Sequence, residues 1–306
     1  MPMDPSSAER KIRPGLPIIR FMNAFLPLPV SRWVLKLGMQ RLRLDSPATR
    51  KALSADGVPC EWIIPPNSLA EPVLIYLHGG GFVYGLTPLH LQMAAYLAQK
   101  IGMRILMVDY RLAPEYPYPA ALNDCVTAYR WLLKQGLSAQ KIVMAGDSAG
   151  GNLTLTSLMK LRDSGDPLPA AGVCLSPVAD FTDKGKLRPE IKDPILHPRA
   201  VKFYNQSYLA GHDPRDPLIS PAFGDWRGLP PLLVFAGQDE MLRADAVRIE
   251  ALAKADGIEV RLEVYPRMWH VWQIFLALPQ AIQSLDDMAQ FIRSHVGLVA
   301  QQPISG

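Results

Sequence analysis

A chain of 306 residues accommodates two ordinary domains or one large α/β domain with insertions, at roughly 150 residues per domain. Its hydrophobic fraction of 49% and charged fraction of 20% exclude a disordered chain, and a formal net charge of +4 is far from the one-sided cation density of a dedicated nucleic-acid binder. No unbroken apolar run reaches the length of a spanning helix, because Arg20, Pro27 and Pro29 cut the greasiest segment, so stable membrane insertion is not expected.

From the N-terminus, charge and proline interrupt residues 1–20 and no small-residue cleavage site follows an apolar region. This argues against a secretory signal and makes the cytoplasm the expected address. Residues 1–51 hold ten Lys/Arg against three acids, a local balance of +7, and the rest of the chain is slightly acidic. Two short amphipathic helices bounded by prolines are predicted there, at 18–26 and 31–44. We read residues 1–48 as a helical cap segment whose arginines face water, with a place on a membrane surface as the alternative. Residues 49–306 then form the main domain. Its first feature, Asp56-Gly57 within 51–64, predicts an antiparallel hairpin. Strand-like runs follow at 73–77, 105–108, 142–145, 172–175, 232–236 and 260–264, each short, apolar and partly β-branched. Helical runs at 88–100, 120–135, 149–162, 242–255 and 280–294 separate most of them, and the alternation predicts an α/β fold with a mostly parallel sheet covered on both faces. The stretch 176–231 is too long for a simple crossover; about 181–219 reads as a cap insertion that forms a lid with the N-terminal segment. Cys60, Cys125 and Cys174 are widely spaced and lack a CxxC pair, which fits reduced, buried thiols and no metal site.

Sites in such sheets assemble at the carboxyl ends of the strands. After 142–145 comes Gly146-Asp147-Ser148-Ala149-Gly150-Gly151-Asn152, a GxSxG turn between strand and helix. Small residues flank the serine because the turn is tight, and the turn lifts Ser148 Oγ into the open. The helix start offers the Ala149 N–H to an anion. A phosphate loop would need Lys and Ser/Thr where Asn152 and Leu153 stand. After 73–77 comes His78-Gly79-Gly80-Gly81-Phe82, whose glycines let the main chain approach a ligand and aim N–H groups at it. Gly80 and Gly81, with Ala149, are the candidate oxyanion-hole donors. The base is found by elimination from the chain order serine, acid, histidine: His78 and His90 come too early, His197 and His212 precede the 232–236 strand, and His295 sits near the end of the last helix. His270, in the loop past 260–264, remains. The acid lies directly after 232–236, where Asp239 and Glu240 are adjacent; aspartate is the commoner triad acid and the nearer to the strand.

Five stretches, namely 78–82, Asp109-Tyr110-Arg111-Leu112-Ala113-Pro114-Glu115, 146–152, Ser220-Pro221 and 230–272, occur in the order found in the hormone-sensitive-lipase-like (family IV) bacterial esterases, which the chain resembles over most of the main domain. The resemblance implies an α/β-hydrolase fold with a helical cap, a serine mechanism without cofactor, short- to medium-chain acyl esters as substrates, and a homodimer. Members carry the acid two residues before a leucine, a register that Glu240-Met241-Leu242 fits and Asp239 does not, although Ala244 stands at the motif's second acid position with Asp245 one later. It therefore favours Ser148, Glu240 and His270 as the catalytic set. Lactone or amide hydrolysis on the same residues is the chemical alternative. A non-catalytic small-molecule receptor, as in the similar plant gibberellin receptors, is the other, and the presence of His270 speaks against it. Phe21, Met22 and Phe25 from the N-terminal segment, with Phe203, Tyr204 and Tyr208 from the insertion, are the candidate walls of the substrate pocket.

Overall fold

The computed structural model of the chain describes residues 6–40, 45–182 and 193–298, with 38–40 as backbone only. The end of the second predicted N-terminal helix (41–44), much of the first part of the predicted insertion (183–192) and residues 1–5 and 299–306 lie outside the described residues.

Three helices open the chain: α1 (Ser7–Ile12), α2 (Leu16–Phe25) and α3 (Leu28–Gln40). The first is not among the predicted elements, although Ser6 caps it by accepting the Glu9 N–H at 3.1 Å, the arrangement that Ser-x-x-Glu encodes. β1 (Thr49–Ala55) and β2 (Val58–Ile64) pair antiparallel about Asp56 and Gly57, whose φ values of 50° and 94° give the two-residue turn that matches strand twist. Then β3 (Val73–Leu77), α4 (Pro88–Ile101), β4 (Arg104–Val108), α5 (Ala120–Lys134), β5 (Ile142–Asp147), α6 (Ala149–Asp163) and β6 (Ala171–Leu175) alternate. The stretch predicted as an insertion contributes α7 (Pro198–Leu209), and β7 (Leu232–Gly237), α8 (Arg243–Ala255), β8 (Val260–Tyr265) and α9 (Pro279–His295) complete the order. Like α1, α7 is absent from the predicted elements, yet its start is marked by Pro198 in the first turn and its end by Ala210 and Gly211, both with positive φ.

The described strands form one sheet in the order β1-β2-β4-β3-β5-β6-β7-β8, antiparallel at β1/β2 and β2/β4 and parallel from β4 onward. β3 shows how the period of two fills both faces: Leu74 and Tyr76 pack into the layer of α4 and α9, and Val73, Ile75 and Leu77 into the layer of α5 and α6. Each such buried aliphatic side chain contributes about 1.5–3 kcal/mol. Because β3 to β8 are parallel, their carboxyl ends open at one edge, and α2, α3 and α7 lie over that edge. Arg32 of α3 fixes the cover by donating to Val83 O at 2.7 Å and Ala113 O at 2.6 Å and pairing with Glu115 at 2.7 Å. Arg20 of α2 donates to Leu196 O at 3.1 Å. Phe21, Phe25 and Trp33 remain exposed on the outer side of the cover. No described helix is long and apolar enough to cross a membrane.

Candidate active site

Ser148 sits between β5 and α6 with φ 52° and ψ −115°, a conformation that L residues hold only when the surroundings impose it, at a cost of about 1–3 kcal/mol. The imposition is steric. A Cβ on Gly150 would overlap the Leu77 carbonyl oxygen, and one on Gly146 the Gly150 carbonyl oxygen, so the two glycines let the strand end and the helix start close up beneath the serine. The Ser148 N–H donates to Leu175 O at 2.8 Å. Backbone of this kind is concentrated here: of the described non-glycine residues with positive φ, Phe82, Ser148, Ser176, Arg267 and Val271 all belong to the loops at this edge.

In the tautomer that a carboxylate on Nδ1 selects, His270 donates from Nδ1 to Glu240 Oε2 at 3.0 Å and accepts the Ser148 hydroxyl proton at Nε2, with Oγ 2.9 Å away. Both loops are set by the sheet. After β7, the N–H groups of Gln238 and Asp239 donate to Tyr265 O and Met268 O at 2.9 Å each, which zips the 238–242 turn to the 266–271 loop. Glu240 is thereby turned inward, fully buried, with Oε1 accepting the Gly237 N–H at 3.0 Å. Asp239 is turned outward into an ion pair with Arg13, so the choice that residue type alone made for Asp239 gives way to Glu240 for a geometric reason. Burial alone would push His270 down, but the Glu240 hydrogen bond and charge, helped by Asp193 and Asp147, hold its pKa above the ordinary 6.5.

The glycine loop divides its N–H groups. Gly79 donates to Asp147 Oδ1 at 2.9 Å, whereas among the described residues no acceptor takes the N–H of Gly80 or Gly81. These two, beside the start of α6 where Ala149 has no intrahelical acceptor, face the cavity in front of Ser148. Asp147 is the loop's anchor and was not singled out from sequence. Burial acts to raise its pKa, but His90 at 3.3 Å, the Tyr76 hydroxyl at 2.9 Å and the Gly79 N–H together hold it below the ordinary carboxylate value. His78 is structural: burial pushes its pKa down to about 4, it stacks on Tyr110 at 4.2 Å, and its Nδ1 donates to Gly79 O at 2.8 Å. Ser176, also missed, accepts the Val271 N–H at 3.1 Å and so holds the far side of the histidine loop.

A cavity of about 410 Å³ opens in front of Ser148, with mostly apolar walls from α2 and α3 (Met22, Leu35), from α7 and the chain before it (Leu196, Tyr204) and from Ile274 and Phe275. Of the six candidate walls, Met22 and Tyr204 line it. The other four are corrected. Phe21 and Phe25 face outward, their rings tilted against each other at 4.9 Å, and Phe203 is exposed, because successive residues of a helix are about 100° apart, which turns Phe21 and Phe203 away from the cavity that Met22 and Tyr204 line. Tyr208 is fully buried, stacked on Phe82 at 3.7 Å behind the glycine loop. Among the described residues no cluster of His, Cys, Asp and Glu has the arrangement to hold a metal ion.

An opened parallel sheet with a strained serine elbow, a histidine at Oγ and a carboxylate behind it defines a hydrolase of the α/β class, and the family model of the alpha/beta hydrolase fold matches residues 74–274. An acetyl-hydrolase of Streptomyces hygroscopicus is 40% identical over 240 residues, 78% of this chain and 80% of that one. The crystal structure of an esterase from the bacterial hormone-sensitive lipase family superposes with a TM-score of 0.88 at 38% identity, covering 96% of this chain and all of the other. The EstE5 structure soaked with p-nitrophenyl butyrate superposes with a TM-score of 0.86 at 35% identity, covering 95% and 99%. The chain belongs to the α/β-hydrolase family, and within it to the hormone-sensitive-lipase type of carboxylic ester hydrolase.

Proposed function

We propose that this esterase works by acyl transfer through Ser148 and prefers short- to medium-chain acyl esters. Ser148 Oγ attacks the ester carbonyl while His270 Nε2 takes its proton; Glu240 holds the imidazole tautomer and stabilises the imidazolium that forms. Gly80, Gly81 and Ala149 N–H groups receive the oxyanion, each worth about 2.7–4 kcal/mol in the transition state. His270 returns the proton to the leaving alcohol; water, activated in the same way, then attacks the acyl carbonyl, and the bond to Ser148 Oγ breaks to free the carboxylic acid and the serine. The observation that carries the reading is the unbroken line from Ser148 Oγ through His270 to Glu240, at 2.9 and 3.0 Å. The modest, mainly apolar cavity supports a short acyl chain, as do the acetyl-hydrolase name of the Streptomyces relative and the butyrate ester soaked into EstE5. Residues 1–48 and about 181–219 act as the two parts of a cap that sets the acyl preference.

The test combines two measurements. A fluorophosphonate should label the native protein once, and mass mapping should place the adduct on Ser148. Across p-nitrophenyl esters of increasing chain length, kcat/KM should peak at a short or medium chain. An adduct elsewhere, or a Ser148→Ala variant with substantial activity, removes the serine mechanism; a preference for long chains removes the substrate assignment.

A further inference from the structure

If Ser148, His270 and Glu240 are the reacting groups, the residues on either side of Glu240 in the chain are each held by a different part of the cover. Asp239, just before it, pairs with Arg13, which lies between α1 and α2. Met241, just after it, donates its N–H to Asp193 Oδ2 at 2.8 Å, and Asp193 lies on the chain leading into α7. We propose that Arg13 and Asp193 are positioning residues, through which the two cap segments fix the turn of Glu240 and with it the orientation of His270.

Asp193 is specified as a carboxylate by this contact. It is 2% exposed, and no ion pair holds it among the described residues; a buried carboxylate persists only when donors surround it. Its Oδ1 accepts the N–H groups of Ile195 and Leu196 at 2.8 Å each, a local turn that Asn or Ser could also make. Oδ2 reaches Met241 across 48 residues of chain, and there an amide would set its own NH₂ against the Met241 N–H. Only a group with two acceptor oxygens serves both sides. Arg13 likewise spans both catalytic loops. Besides Asp239 it donates to Arg267 O at 2.7 Å and lies 5.9 Å over the Trp269 ring, next to His270. Glu9 of α1, 1% exposed, ties Arg13 at 3.4 Å and Arg267 at 2.6 Å into one network.

The groups around His270 make the role readable in a pH profile. Glu240, Asp193 and Asp147 at the end of β5 act on it with negative charge. His90 of α4 meets Asp147, and the Glu9, Arg13 and Asp239 charges pair with each other or with Arg267. Removing the charge of Asp193 should therefore ease proton loss from His270.

The substrate for the test is p-nitrophenyl acetate, whose acyl group is too short to sense the distal cap wall. For Asp193→Asn, kcat should fall ~10- to 100-fold, the scale of a misplaced catalytic group, with KM nearly unchanged and the rising limb of the kcat/KM profile moved to lower pH. Arg13→Gln should lower kcat less, again without raising KM, and Arg13→Lys should recover most of the loss. Residues that merely fasten the cap predict the reverse: kcat and the pH limb on acetate as in the wild type, with changes confined to KM and chain-length preference. That result in both variants overturns the proposal. Should Asp193→Asn fail to fold, the kcat of Arg13→Gln against Arg13→Lys decides. A Ser148→Ala variant that remains active places the failure in the triad reading instead.

Discussion

Glu240→Gln changes one atom, and the groups around the side chain dictate how the new amide sits. The Gly237 N–H at 3.0 Å from Oε1 requires an acceptor, so the amide keeps its oxygen there and turns its NH₂ toward His270 Nδ1. Nδ1 must then accept, the proton moves to Nε2, and Nε2–H confronts Ser148 Oγ where a lone pair is needed. The expected cost is up to ~10⁴ in kcat from the wrong tautomer, about 5 kcal/mol at 1.36 kcal/mol per decade. The fold should survive, because the hydrogen bond to Gly237 is retained. With the carboxylate charge gone, burial dominates at His270, so any residual activity should rise at lower pH than in the wild type. Asp239→Asn, changing a partly exposed carboxylate on Arg13, should cost no more than about tenfold through the loosened loop, since exposed pairs contribute ~0–1 kcal/mol. The two variants are compared on p-nitrophenyl butyrate, with active sites counted by fluorophosphonate titration. A dead Asp239→Asn beside a nearly wild-type Glu240→Gln would refute the reasoning.

In the wild type the acylation limb should titrate above pH 6.5, because His270 must be neutral and its pKa is raised. By the same shift, its contribution to stability is complete below about pH 6.5 and lost as pH rises through the folded-state value; an acylation limb centred below 6.5 contradicts both. Gly150→Ala should not yield folded, active protein, since its Cβ would overlap the Leu77 carbonyl oxygen; circular dichroism and activity check this. Gly81→Ala, at φ 61° with its Cβ 2.5 Å from the Tyr204 ring, should fold but lose roughly 10²–10³ in kcat with the displaced oxyanion donor. Cys60, Cys125 and Cys174 are buried, and burial pushes the Cys60 thiol up to about 12. All three should be silent to a thiol reagent until denaturant is added.

The strands and the serine elbow could be read from the chain because they depend on local sterics: apolar β-branched runs, and glycines where two backbones nearly touch. The His270 assignment needed only chain order. The acid was not local. Nothing in Asp239-Glu240 says which faces inward; that is decided by backbone pairing of 238 and 239 with 265 and 268, and only the resemblance supplied the register. The proposed cap was the least legible part. Its aromatic residues were visible, but which side of α2 or α7 meets the cavity depends on helix phase, which separates Met22 from Phe21 and Tyr204 from Phe203. Asp193 and Arg13 gave no signal at all, because their partners lie 48 and 226 residues away.

The network that joins Glu9 to Arg267 spans 258 residues of sequence. At roughly 5–20 residues per second of synthesis, α1 emerges from the ribosome about ten to fifty seconds before its partner exists. Through that interval Glu9 and Arg13 have only each other, and for most of it the inward side of α2 has neither Leu196 nor Tyr204 to cover it. The N-terminal helices are thus among the last parts of the fold to find their place. A nascent protein stalled before residue 267 should be cut readily by protease within its N-terminal helices, while the same helices in the released protein resist.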